Sequence, residues 1–356
     1  MENQIYPGEV WLDTDGKPIQ AHGFSVFYSH TDRTYYWYGE NKERTLGGTE
    51  NTVWHWGVRC YSSQDLCNWE NLGLIIPPQT EDLQSPLHPT YCMDRPHILY
   101  CPNTGKYVAW LKIMCDATSQ FMTVMQSDSF LGPYTFVHRV YKPLGMDTGD
   151  FTLVEDGEKA YFIFDRPHFE LITATLSENY TEVTGEYSVH YAGMKPPECR
   201  EAPAVFTRNG KHYMFTSGTT GYYPNRTQVC IFDDFHGSYR DLGDPCIGDE
   251  TGTTFHSQIS CVLKLPGKDA YIACADRWIP EVGTREEARQ EVEKYRKRFA
   301  NYAADRQIKI PTPLPGKLQR HMENTSESRY VWLPIRFDGE KPVLRWEKAW
   351  NPQTTF

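Results

Sequence analysis

The sequence predicts an all-β fold, a five-bladed β-propeller with a helical arm inserted in blade five. Three observations support this prediction: a short unit that recurs five times, a regular spacing between its copies, and a high aromatic content of 14%. Aromatic side chains favour strands and pack well between sheets. A β-sandwich with similarly spaced strands is the structural alternative. We expect one domain over residues 1–356, with the helical insertion at about 281–322.

The recurring unit is a turn containing Gly, Lys or Asp, followed by an aromatic-rich strand. Its copies lie roughly 50–70 residues apart, a spacing that suits the four-stranded blades of a propeller. Polar turns after several of the copies then lead to a further, outer strand, as expected for hairpins. The five copies are Asp32–Tyr38, Gly105–Trp110, Glu158–Ile163, Gly210–Phe215 and Gly267–Ile272.

Blade five is predicted to be completed by strands near the end of the sequence. Tyr330–Ile335 and Val343–Trp346 are apolar, strand-like runs. Glu9–Leu12 near the start has the same character, and we expect it to lie beside them and close the ring.

The helical arm is predicted from Thr284 to Arg306, a charged stretch without Pro or Gly. Thr284 and Glu287 have the spacing of a capping box. Apolar residues recur every three or four positions, which gives one apolar stripe along a helix. We expect this stripe to pack on the propeller or on a second subunit, so a homo-oligomer formed through the arm is one hypothesis. An arm that covers the active site is the alternative. The stripe consists of Ala288, Val292, Tyr295, Phe299 and Tyr302.

Composition narrows the classes of partner and the compartment. A net charge of −10 and a pI of about 5.7 argue against nucleic acid, which needs a basic surface. No apolar run is long enough for a membrane span. The first residues lack the basic and apolar segments of a signal peptide, so we predict a cytoplasmic protein, although a processed secreted form would also fit. The ten cysteines include no CxxC pair and are interpreted as buried, reduced thiols.

Polar and acidic residues recur at matching places of the repeat. The innermost strand of each blade borders a central funnel, so residues far apart in sequence can meet there. Glu201 begins an apolar strand-like run, and the following Pro203 restricts the backbone. The funnel candidates are His22, Glu40, Asp94, Arg95, Asp150, Glu201, Gln258, Asp276 and Arg277.

Paired carboxyl groups of this kind are suited to cleaving a glycosidic bond. That reaction needs a protonated carboxyl group to donate to the leaving oxygen, and a second group to activate water or attack carbon. A neighbouring carboxylate raises the pKa of the donor by repulsion. Glu201 as donor and Asp94 as its modulator would meet the first need.

Several motifs together resemble glycoside hydrolase family 43 and, within it, the exo-β-1,3-galactanases. The resemblance extends from about Gly8 to Ile335, apart from the helical arm. It implies a five-bladed propeller that acts with inversion. The motifs that carry it are Ala21-His22-Gly23, Tyr38-Gly39-Glu40-Asn41-Lys42, Arg95-Pro96, Glu201-Ala202-Pro203, Thr253-Thr254-Phe255-His256-Ser257-Gln258 and Tyr330-Val331-Trp332-Leu333-Pro334.

The resemblance implies roles for individual residues. Glu201 would be the general acid, and Asp94 the pKa modulator, although this branch usually has Glu there. The base aspartate of the wider family is absent, and Gln258 matches a glutamine proposed to position or activate water. The residues expected to bind substrate are Glu40, Arg95, Asp150, Thr220, His22, Asp276 and Arg277.

These observations predict an inverting, exo-acting glycosidase that removes β-linked galactose from oligosaccharides, with neither cofactor nor metal. An α-L-arabinofuranosidase or β-xylosidase on the same fold is an alternative. A glycan-binding propeller without activity would explain the missing base. A phosphorylase would need a basic cluster for phosphate, and only Arg95, Arg200 and Arg277 are available. His22 and His256 could face a central metal, but we interpret both as hydrogen-bonding histidines.

Overall fold

The computed structural model describes residues 3–48, 50–116, 119–282, 284–298 and 323–356. Within these residues, strands β1–β20 form five antiparallel sheets of four strands, and each sheet uses four consecutive strands. The five-bladed propeller is confirmed. Blade one consists of β1 (His22–Ser29), β2 (Thr34–Glu40), β3 (Val58–Ser63) and β4 (Glu70–Ile76). Blade two consists of β5 (Cys92–Cys101), β6 (Lys106–Asp116), β7 (Ser119–Ser127) and β8 (Thr135–Tyr141). Blade three is β9 (Phe151–Asp156), β10 (Lys159–Arg166), β11 (Glu170–Leu176) and β12 (Val183–His190). Blade four consists of β13 (Glu201–Arg208), β14 (Lys211–Ser217), β15 (Gln228–Phe232) and β16 (Arg240–Gly243). Blade five consists of β17 (Gln258–Lys264), β18 (Tyr271–Arg277), β19 (Arg329–Asp338) and β20 (Lys341–Val343).

The first strand of each blade faces the centre of the ring. Strands β1, β5, β9, β13 and β17 each contact the corresponding strand of the next blade, and β17 returns to β1. The predicted repeat unit forms the second strand of each blade. Its large side chains at Trp37, Trp110, Phe162 and Phe215 are fully buried between sheets. Burial of these aromatic rings between blades is why their recurrence predicts the fold.

The ring closes differently from the prediction at its first and last blades. Strands β19 and β20 complete blade five, but Glu9–Leu12 does not join their sheet. Leu12 instead pairs with Pro18, because the Asp13 carboxylate accepts backbone N–H groups and fixes a tight turn between them. The ring of Trp11 packs against Trp332, with centroids 5.3 Å apart.

The helical arm lies between β18 and β19, where the sequence predicts it. Helix α1 (Arg285–Arg298) begins with the predicted capping box: the Glu287 backbone N–H donates to the Thr284 hydroxyl, and the Thr284 N–H donates to the Glu287 carboxylate. Within α1, Ala288 of the apolar stripe is buried, whereas Phe299 and Tyr302 lie outside the described residues, as does the rest of the predicted arm to residue 322. Two 3₁₀ turns, Pro143–Gly145 and Thr325–Glu327, complete the regular structure of the described chain.

Nine cysteines fall in the fully described part of the chain, and all nine are free thiols. Seven are buried, as the sequence predicts, and two are half-buried. As far as the chain is described, it includes no helix of the length and apolar character needed to cross a bilayer.

Candidate active site

A cavity of about 250 Å³ opens at the centre of the ring, and every blade contributes to its wall. The contributions come from the starts of inner strands, from second and third strands, from loops and from helix α1. Six of the sequence-predicted site residues meet here: Glu40, Asp94, Arg95, Asp150, Glu201 and Gln258.

A local irregularity near the start of the inner strand recurs in four blades. The register of β1, β5, β13 and β17 with the second strand shifts within the first few residues, as in a β-bulge. The backbone at Gly23, Arg95 and Ala202 has a positive φ of 52°, 48° and 51°. Positive φ is unfavourable for Arg and Ala, and such strain tends to occur at functional sites. The bulges re-aim the side chains next to them, and those of Asp94 and Glu201 line the cavity.

Glu201 has the electrostatic environment of a proton donor. Burial raises the pKa of its carboxyl group well above the usual range, and the charges of Asp150 and Asp165 raise it further. Lys112 and Arg95 oppose this effect without cancelling it. The sequence predicts Asp94 as the modulating acid, whereas the carboxylates whose charges raise this pKa most are Asp150 and Asp165.

Asp94 and Asp150 are held in the ionised state by cations. The Lys112 Nζ lies 2.9 Å from Asp150 Oδ1 and 3.2 Å from Asp94 Oδ2, and Arg95 Nε lies 2.8 Å from Asp150 Oδ2. Burial alone would raise the pKa of both carboxyl groups, but these cations lower each pKa below its usual value. The cavity therefore combines a carboxyl group of raised pKa with two aspartates of lowered pKa, which is the separation that general acid–base chemistry needs.

Glu40, which lines the cavity, forms a second buried ion pair with Lys42. The Lys42 Nζ lies 2.7 Å from Glu40 Oε2 and donates to the carbonyl oxygen of Trp54 at 2.8 Å. The other Glu40 oxygen accepts the backbone N–H of Arg95 at 2.8 Å. Gly23 is required next to it, because a Cβ there would lie 2.2 Å from Glu40 Oε1.

The amide orientation of Gln258 is fixed by its neighbours. Its Oε1 accepts from Arg95 Nη2 at 2.7 Å and from Trp278 Nε1 at 3.0 Å, and both of these groups can only donate. Its Nε2 donates one hydrogen to Ser217 Oγ at 2.8 Å. The second Nε2 hydrogen has no acceptor among the described residues, and Gln258 lines the cavity, so it can present a donor to a bound water or hydroxyl group.

Four predicted site residues lie outside the cavity wall. His22 and Asp276 are fully buried and bond to each other, with Nδ1 and Oδ1 3.0 Å apart. The Thr220 hydroxyl donates to the Tyr223 carbonyl oxygen, which fixes the loop that carries Tyr222. Arg277 donates to the backbone oxygens of Phe255 and His256.

The histidines considered for a metal are engaged with protein groups. His22 Nε2 lies 3.3 Å from the Tyr330 hydroxyl, and His256 Nε2 lies 2.8 Å from the Ile279 carbonyl oxygen. Where the chain is described, no three His, Cys, Asp or Glu side chains are grouped to hold a metal ion.

Several cavity residues were not singled out from the sequence. Lys112 is the one charged residue in the apolar stretch Tyr107–Cys115, and this isolated charge is the sequence signal that could have identified it as a site residue. Lys42 belongs to the motif that contains Glu40 and Asn41, but the sequence alone suggested no role for it. The remaining lining residues are Met114, Gln120, His168, Gly221, Tyr222, Trp278, Tyr295 and Arg298.

Comparison with known proteins identifies a family and several structural relatives. The model of the glycosyl hydrolases family 43 matches residues 18–260. A search of curated proteins finds no match. The fold is similar to that of a family 43 β-1,3-galactosidase, with 27% identity and a TM-score of 0.76 over 99% of this chain and 64% of the other. The chain therefore spans less than two thirds of that protein.

Two further solved structures are similar. A second family 43 β-1,3-galactosidase, solved with galactodeoxynojirimycin, has 27% identity and a TM-score of 0.75 over 98% of this chain and 100% of the other. An exo-β-1,3-galactanase from Phanerochaete chrysosporium, solved with β-1,3-galactotriose, has 24% identity and a TM-score of 0.75 over 98% of this chain and 68% of the other. At that identity the galactanase supports the fold alone.

Proposed function

The chain belongs to glycosyl hydrolases family 43, and we propose that it is an exo-acting, inverting β-galactosidase that cleaves β-1,3-linked galactose from short oligosaccharides. The observation that supports this most is that Glu201, whose carboxyl pKa is raised by burial and neighbouring carboxylates, lines one cavity with Asp94 and Asp150, whose pKa values cations lower. The choice of galactose rests on the similarity to two β-1,3-galactosidases at 27% identity.

In this proposal Glu201 donates its proton to the glycosidic oxygen as the bond to the anomeric carbon breaks. Water attacks the anomeric carbon from the opposite face of the sugar, which gives inversion. The attacking water releases its proton to solvent, and Glu201 regains a proton from solvent before the next turnover. Gln258 positions that water through its free Nε2 hydrogen, since its oxygen is already occupied. Glu40, Arg95 and Asp150 contact the sugar hydroxyl groups, and Asp94 maintains the charge balance with Lys112. The edge-to-face rings of Tyr222 and Trp278, 5.3 Å apart, offer an apolar surface for the sugar.

Proton NMR of the anomeric region tests the sugar and the stereochemistry together. With β-1,3-galactobiose, we expect α-galactose to appear first and to convert to the β anomer only by mutarotation. Initial release of β-galactose would contradict inversion. Turnover of an aryl arabinofuranoside or xyloside, with galactobiose untouched, would assign a different sugar. Binding of galactobiose by calorimetry, without turnover of any member, would indicate a glycan-binding protein instead.

The pH dependence of kcat/KM should change when Asp150 is replaced by Asn. Glu201 must be protonated to act, so activity is lost as pH rises through its pKa. The Asp150 charge helps to raise that pKa. Removing the charge should lower the pKa of Glu201, and the alkaline limb of the profile should move to lower pH.

The matched control is Asp156→Asn, an exposed carboxylate at the other end of β9. Its alkaline limb should coincide with that of the unsubstituted protein. An alkaline limb that stays in place or moves upward in Asp150→Asn would show that Glu201 is not the titrating acid, or that Asp150 does not act on it.

A further inference from the structure

Helix α1 lies against the blade that carries Glu201. Arg296 Nη2 contacts Glu198 Oε1 at 2.5 Å, three residues before β13 begins. The Tyr295 hydroxyl lies over Gly221, where a Cβ would be only 2.8 Å away. Gly221 follows β14, whose Ser217 pairs with Glu201. The helix thus contacts the chain on both sides of the proposed acid.

Two side chains from the last turn of α1 reach the cavity. Tyr295 and Arg298, three positions apart and therefore on one face of the helix, line the same wall as Glu201. Arg298 is close enough to His168 of blade three to contribute to the low pKa of that imidazole, about 4, which is mainly due to burial. The pair therefore spans the cavity wall from blade four to blade three.

The position of the proton donor determines where the leaving group of the substrate binds in the cavity. A general acid must reach the glycosidic oxygen at hydrogen-bond distance, so the sugar beyond the cleaved bond has to lie next to it. Tyr295 is a neighbour of Glu201: burial and the nearby Glu201 charge raise the pKa of the phenol to about 12. The phenol is thus neutral and able to donate a hydrogen bond at that place.

We propose that Tyr295 and Arg298 of α1 form the binding site for the leaving-group sugar, a pyranose on the reducing side of the cleaved bond. The inference rests on the proposed function, because it uses Glu201 as the acid. Tyr295 offers an aromatic face and a hydroxyl group, and Arg298 offers several donors to ring hydroxyl groups. The family model ends at residue 260, before α1 begins, so membership of the family does not supply this site.

A comparison of two substrates tests the proposal. β-1,3-Galactobiose has a sugar as leaving group, whereas β-galactosyl fluoride has none. The ratio of their kcat/KM values should fall about tenfold in Tyr295→Ala and in Arg298→Ala, as the loss of one or two hydrogen bonds or a stacking contact predicts. The matched control is Arg289→Ala on the exposed part of the same helix, where Arg289 pairs only with Glu286 among the described contacts, and its ratio should not change.

An equal fall in kcat/KM for both substrates would show that α1 merely supports the cavity, and unchanged kcat/KM values for both would show that the two side chains do not touch the substrate. Either result overturns the inference. A second measurement separates it from the proposed function. In a Glu201→Gln background, calorimetry should show galactobiose binding more tightly than galactose, and Tyr295→Ala should reduce this difference. If the difference persists, the inference fails whether or not the protein hydrolyses galactosides.

Discussion

Replacing Glu201 with Gln should lower kcat for β-1,3-galactobiose by about 10²–10⁴-fold while leaving sugar binding nearly unchanged. The amide keeps the shape of the side chain but has no acidic proton to give to the leaving oxygen. Initial rates and calorimetric binding of galactobiose measure the two effects separately. Because fluoride leaves without protonation, hydrolysis of β-galactosyl fluoride should fall far less than hydrolysis of the disaccharide.

Glu158→Gln provides the control, since Glu158 is exposed in the turn between β9 and β10. Its rates should match those of the unsubstituted protein. Full activity of Glu201→Gln on galactobiose would show that Glu201 has no part in the reaction. Equal losses on galactobiose and on the fluoride would assign it a role other than proton donation.

Replacing Lys112 with Met should lower the free energy of unfolding by about 3–5 kcal/mol, the cost of leaving buried charges without their partner. Lys112 is the cation between Asp94 and Asp150, and its side chain is only 9% exposed. Methionine fills similar space but carries no charge, so the two aspartates would repel each other in a poorly solvated site. Urea unfolding at pH 7 measures the change, and catalytic activity should fall with it.

Lys106→Met is the control that tests whether the loss of stability is specific to the buried charges around Lys112. Lys106 begins the same strand, β6, but its partner Asp128 is 86% exposed. Exposed pairs contribute at most about 1 kcal/mol. If Lys106→Met destabilises the protein as much as Lys112→Met, the loss reflects strand β6 and not the buried charge network.

The sequence was sufficient to predict the architecture because each blade repeats one packing requirement. A residue such as Trp37 or Trp110 must be buried between neighbouring sheets, so its recurrence along the chain indicates the ring. The closure was predicted less well. Glu9–Leu12 has a strand-like composition, but the turn fixed by Asp13 directs it onto Pro18, and side-chain contacts to a local turn are hard to weigh against sheet pairing.

The candidate site was predictable where a motif coincides with the start of an inner strand. Asp94, Glu201 and Gln258 all reach the cavity for that reason. Asp276 does not, although it pairs with Gln258 across two strands, because its carboxylate is turned toward His22 and Ser260. Sequence alone gives the pairing of strands more readily than the direction in which a polar side chain finds its partners.

Tyr295 illustrates a second feature that sequence alone does not predict, the surface that an inserted helix covers. Its place in the apolar stripe of α1 predicts a packed residue, and the structure gives it a second environment at the cavity wall. Which surface an inserted helix covers depends on long-range contacts such as that between Arg296 and Glu198, which have no local sequence signal.

Ile5 and Trp350 exchange two backbone hydrogen bonds, of 2.8 and 3.1 Å, so segments from opposite ends of the described sequence lie side by side. Each blade is also built from consecutive strands, and none of the five described sheets borrows a strand from another blade. A circular permutant, with these segments joined by a short linker and new termini opened in the exposed turn at Gly157, would keep every sheet intact. In such a protein Glu201 would precede Glu40 and Asp94 along the chain and yet meet them in the same cavity. The order of the motifs therefore reflects where the chain happens to start, whereas the site depends only on the ring.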